Sequence, residues 1–83
     1  MKVKVTKKES GVALVPIYTE FIKLQDAMKL ANIVYSGGEA KQLILEEQVA
    51  VNGEICTMRG KKLRPGDQFA FEGQEYEVLS REG

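Results

Sequence analysis

The chain contains no histidine, no tryptophan and a single cysteine, Cys56. Without histidine there is no Ser-His-Asp triad, and a lone cysteine supplies none of the usual Cys/His zinc sets. Cys56 cannot form an internal disulfide, so the expected compartment is the reducing cytoplasm. No apolar run approaches the roughly 20 residues that cross a bilayer, so no membrane partner is expected. The opening Lys2-Val3-Lys4-Val5 lacks the apolar core of a signal peptide. Net charge is also missing, with 12 Lys+Arg against 12 Asp+Glu. A domain of 83 residues buries only about 60% of its unfolded surface, which leaves little room for a deep enclosed pocket. Together these absences argue against an enzyme, and no cofactor, metal or small-molecule substrate is expected.

What is present is an ordinary folded composition, 43% hydrophobic and 29% charged, which excludes a long disordered tail as the main theme. The zero net charge hides a partition. Residues 1–8 hold Lys2, Lys4, Lys7 and Lys8 and no acid. Residues 57–66 hold Arg59, Lys61, Lys62 and Arg64, again with no acid. A polyanion approaching one face responds to such local fields and not to the sum.

Lys2 to Thr6 alternates polar and apolar residues and predicts an edge strand, and Glu9-Ser10-Gly11 predicts a turn. Val12 to Val15 is a short apolar run closed by Pro16, which suits an edge strand or a strand end. Residues 1–16 are therefore expected to form an N-terminal strand, hairpin or arm before a single domain over 17–83. Ile17 to Ile22 reads as a short strand or extended lead-in. Leu24, Ala27, Met28 and Ala31 then share one helical face, and Asn32 can close that helix.

Ser36-Gly37-Gly38-Glu39 is the sharpest local signal. Ser36 at the N-cap and Glu39 three residues later predict a capping box, with the Glu39 side chain reaching back to the Ser36 N–H. A helix from Gly37 to about Glu47 follows, with Ala40, Leu43 and Ile44 on its buried face. The short gap between the helices makes a helix-turn-helix-like pair. Val49 to Ile55 reads as a hairpin whose Asn52-Gly53 suits a type I′ turn. Arg59-Gly60 and Pro65-Gly66-Asp67 are further turns. Phe69 and Phe71 alternate in a strand, Glu72-Gly73-Gln74 turns, and Tyr76 with Val78 gives the last strand. Cys56 reads as a small buried hydrophobe, and most of the Tyr and Phe residues read as core.

In order, the chain offers a helix, a tight connection, a capped helix opening S-G-G-E-A-K, a V-A-V-N-G hairpin, the basic R-G-K-K-L-R run and P-G-D before a strand. This series resembles the RNA-binding domain named for small-subunit ribosomal protein S-four, the alpha-L motif. The module also occurs in many pseudouridine synthases, in bacterial tyrosyl-tRNA synthetases and in a ribosome-associated heat-shock protein. The likeness is to small stand-alone bacterial members. It covers about 22–67, with a final hairpin over 68–80. It implies an α+β fold, in which the two-helix unit packs on a small, mostly antiparallel sheet of about four to five strands.

The resemblance also implies a surface that grips structured RNA, ribosomal or transfer. By position, Lys23 matches the basic residue that opens the first helix. Ser36 and Gly37 match the start of the second helix, and Lys41 the basic residue one turn into it, with Gln42 beside it. Asn52 falls in the hairpin turn, and Arg59, Lys61, Lys62 and Arg64 line the following loop. Family members often carry Arg where this chain has Lys23 and Gly37, and Lys offers a point charge in place of a bidentate fork. An RNA helix has a narrow major groove, so such a surface would read phosphate and shape with little base stacking.

A second class is a protein-interaction adaptor. The acidic final hairpin, with Glu72, Glu75 and Glu77, would suit a basic partner such as a ribosomal protein. The P-G-D-x-F turn and small size also suggest a sulfur carrier, but the Arg81-Glu82-Gly83 end lacks the Gly-Gly that such carriers need.

Overall fold

The structure, a computed structural model, describes residues 11–81. The strand expected at Lys2 to Thr6, and the turn up to Ser10, lie outside the described residues. Strand β1 (Val12–Ile17) runs through Pro16 instead of closing there. Among the described residues it is an edge strand of the main sheet, paired on one side only, where a missing proline N–H is tolerated. Its partner is β7 (Gln74–Ser80), and the pairing is parallel, from Val12 opposite Glu75 to Ile17 opposite Ser80.

The full sheet has the order β1-β7-β6-β3-β4, with β3 at Val49–Val51, β4 at Glu54–Ile55 and β6 at Gln68–Phe71. All pairs except β1–β7 are antiparallel. The expected Ile17–Ile22 segment is divided. Ile17 ends β1, residues 18–21 form a loop, and Ile22–Lys23 is β2, which pairs with β5 (Lys62–Leu63) in a separate two-stranded ladder.

Helix α1 spans Leu24–Leu30 and α2 spans Gly37–Leu45. Both end in the same way. After α1, Asn32 adopts φ 63°. Its N–H donates to the Lys29 carbonyl at 3.0 Å, and the Ile33 N–H donates to Met28 at 3.0 Å. After α2, Glu47 at φ 62° makes the matching bonds to Ile44, with Gln48 bonded to Leu43. These are Schellman ends, which satisfy the last carbonyls through one left-handed residue. That geometry stops α2 two residues short of the expected Glu47.

Leu24, Ala27 and Met28 of α1 and Ala40 and Ile44 of α2 are fully buried against Val49, Phe69 and Val78 of the sheet. Leu63 brings β5 into the same core, so the two-stranded ladder is anchored under the helices. The Phe69 ring stacks on Tyr76 at 4.9 Å and 11°. Burial, and secondarily the Glu72 carboxylate, raises the Tyr76 hydroxyl above its ordinary 10.0. The assignment of most aromatics to the core needs correction: Phe69, Phe71 and Tyr76 join it, while Phe21 lies outside it and Tyr18 and Tyr35 are exposed. Cys56 is half-buried, its thiol directed at the Met58 carbonyl at 3.7 Å.

Candidate nucleic-acid interface

Helix α1 begins without a side-chain cap, because Lys23 at its N-cap has no acceptor to offer. The basic loop supplies the acceptors instead. The Leu24 N–H donates to the Lys61 carbonyl at 2.8 Å, and the Gln25 N–H donates to the Arg59 carbonyl at 3.1 Å. The backbone of the loop is thereby strapped over the helix start, and its side chains are left free to project. The β2–β5 ladder closes the other side and sets Lys23 directly opposite Lys62.

Like charges facing across a strand pair repel and destabilise it. The Lys62 ammonium relieves part of this by lying over the Phe21 ring, 4.9 Å from its centroid. Lys29 is paired with Asp26 at 3.2 Å in the later part of α1. Among the described residues, Lys23, Lys41, Arg59, Lys61, Lys62 and Arg64 have no carboxylate partner. Arg64 follows β5 directly and is exposed, as Lys62 is. Its backbone is held in the turn by Asp67, which accepts the Arg64 N–H at 2.8 Å and donates its own N–H to the Arg64 carbonyl at 2.8 Å. Pro65 and then Gly66 at φ +100° fit a type II turn there.

The start of α2 adjoins this cluster. A Cβ on Gly37 would sit 4.0 Å from the Gln25 Oε1, which is ordinary contact with a flexible side chain. Lys41 lies one turn further on the Gly37 face. Ser36 accepts the Glu39 N–H at 3.2 Å, as expected of the cap. The reciprocal bond is displaced by one residue, because Glu39 accepts the N–H of Tyr35 at 2.6 Å and not that of Ser36. The N-cap backbone is extended, φ −145° and ψ 163°, and the carboxylate reaches the preceding N–H.

Two residues of the expected set are engaged elsewhere. The Gln42 amide donates to Glu46, the C-cap of α2. The Asn52 side chain accepts the Gln68 N–H at 2.9 Å and donates to Asp67 at 3.3 Å, so it clamps the hairpin turn to the Pro65-Gly66 turn. Its own turn has φ 50° at Asn52 and +89° at Gly53, the positive pair that type I′ requires. Asn52 also borders, with Lys61, Ile55 and Met58, an open depression of about 480 Å³.

Three neighbours of the cluster carry no mark that sequence reasoning could find. Phe21 lies under Lys62, the Gln25 side chain faces Gly37 at the start of α2, and Tyr35 precedes the cap of α2. No composition or spacing rule marks a lone aromatic as exposed.

A family model for the S4 domain matches residues 15–79. The chain belongs to the S4 domain family. That span includes every residue of the cluster and all but the first part of β1. One relative is the Bacillus subtilis (strain 168) protein named "Probable ribosome maturation protein RlbA", 44% identical over 59 residues, which are 71% of this chain and 83% of that protein. The solution structure of YbcJ from E. coli, described as revealing an alphaL motif involved in RNA-binding, matches with a TM-score of 0.63. It is 28% identical and covers 93% of this chain and 99% of its own. The α+β arrangement of this S4 domain, two helices on a mixed five-stranded sheet with a separate two-stranded ladder, agrees with that neighbour.

Proposed function

We propose that this S4 domain binds structured RNA through phosphate and shape contacts and performs no chemistry of its own. The observation that carries this is the cationic cluster at the α1 start. Lys23 and Lys62 are paired by the β2–β5 register, Arg59 and Lys61 are strapped beside them, and no carboxylate among the described residues neutralises any of the four. An arrangement that is internally repulsive is relieved by a polyanion, and counterion release then drives binding. Ribosomal RNA is the favoured class, supported by the name of the RlbA relative, and the cytoplasm is the favoured compartment.

The test is anisotropy of a labelled ribosomal RNA hairpin with the full chain across a salt series. If Lys23, Lys41, Arg59, Lys61, Lys62 and Arg64 all meet phosphates, affinity falls about a thousandfold between roughly 50 and 200 mM salt. No binding at low salt, or binding indifferent to salt, overturns the reading.

A gain of function is also expected. The space at Gly37 admits a side chain, and a guanidinium there would add a forked phosphate contact beside Lys41. Gly37→Arg should tighten binding about tenfold at low salt, the worth of one charged hydrogen bond. The same titration measures it, and unchanged affinity would place Gly37 outside the contact surface.

A further inference from the structure

Tyr35 has no structural task that its position explains. No large apolar side chain among the described residues is more exposed, at 91%. It stands immediately before the N-cap, where an apolar residue often packs on the residue four positions into the helix. That residue is Ala40, which is fully buried by other neighbours, and Tyr35 does not cover it. The other exposed tyrosine differs, since Tyr18 has the Arg81 guanidinium 5.6 Å from its ring centroid. Phe21 likewise has Lys62 over it. Among the described residues, no cation or ring lies over Tyr35.

The ring is nevertheless displayed from a fixed backbone. The Tyr35 N–H is held by the Glu39 carboxylate at 2.6 Å. Two residues on, Gly37 lies against Gln25, whose N–H is held by the Arg59 carbonyl. By chain connectivity Tyr35 is two residues from the α2 start, which faces Gln25 at the edge of the cationic cluster. A bare ring beside a phosphate-binding surface offers a π-face to a base. Bases within a helix are already stacked, so only an unpaired one can use it.

Building on the RNA-binding reading above, we propose that Tyr35 is a stacking platform for one unpaired nucleobase. The preferred ligand is then a helical RNA stem bordered by a bulge, a loop or a single-stranded end. This departs from the expectation of little base stacking, and it adds selectivity for junctions to a surface that otherwise reads shape.

The experiment compares two labelled RNA hairpins of identical stem, one fully paired and one with a single bulged adenosine, against wild type, Tyr35→Ala and Tyr35→Phe. Wild type should prefer the bulged stem. Tyr35→Ala should lose about tenfold on that RNA, with its affinity for the paired stem and its salt dependence unchanged. Tyr35→Phe should behave as wild type. Because the chain has no tryptophan, Tyr35→Trp supplies a single indole whose emission should be quenched by the bulged RNA and not by the paired one. If wild type binds both hairpins with steep salt dependence, and Tyr35→Ala either changes neither or weakens both equally, stacking is overturned and the RNA-binding reading stands. If wild type binds neither hairpin, both fall.

Discussion

Reversing two charges, Lys61→Glu with Lys62→Glu, is expected to abolish RNA binding while leaving the domain folded. Each charged contact to phosphate is worth about 1.5–3 kcal/mol, so losing two removes about a hundredfold in affinity or more. The introduced carboxylates add repulsion from the phosphates. The fold has reason to tolerate the change. The carboxylate that Lys62→Glu brings would face Lys23 across the β2–β5 ladder and turn a repulsive pair into an attractive one. The loss is the ammonium over Phe21, worth about 0.5–1 kcal/mol at an exposed site. Thermal unfolding should therefore stay within a few degrees of wild type. Anisotropy on the ribosomal RNA hairpin with a melting curve on the same samples checks both halves. A variant that still binds would remove the cluster from the interface.

The largest effect on stability is expected at Phe69. Its ring is 1% exposed and lies in β6 between Val51 of β3 and Tyr76 of β7, stacked on the latter. Phe69→Ala empties a fully buried site in the core cluster that the sheet shares with the helices, at about 3–5 kcal/mol for such truncations. A domain of this length holds about 4–12 kcal/mol in total, so the variant should be close to unfolded at 37 °C or melt tens of degrees lower. Urea denaturation gives the loss directly, and Phe69→Leu, which keeps most of the volume, should lose much less. A loss below about 1 kcal/mol for Phe69→Ala would mean the core is centred elsewhere. RNA affinity measured below the melting point should change little, because Phe69 reaches the site only through the β3–β6 scaffold.

The features that could be read from the sequence are those fixed by neighbours in the chain. The Ser36 cap depends on a residue three positions away, and the Asn52-Gly53 turn on two adjacent residues with positive φ. The apolar face of α1 is a helical repeat. The features that escaped depend on distant pairing. Val12 finds Glu75 in a parallel ladder, and no local pattern specifies that partner. Strands β2 and β5 have two residues each, too few for an alternation to show. Their pairing is what brings Lys23 to Lys62, so the sequence could nominate both lysines without placing them together. The exposure of Tyr35 escaped for a related reason. Its exposure follows from Ala40 being covered by other residues, which is a property of the packed core.

One detail of the α1 start bears on how such a surface can change over generations. The acceptors that cap Leu24 and Gln25 are main-chain carbonyls of Lys61 and Arg59, present whatever side chains those positions carry. Substitutions in the loop can thus alter charge, reach and shape without uncapping the helix beneath. Affinity and stability become separable traits at these positions, and selection for a different RNA can proceed one residue at a time without passing through an unfolded intermediate.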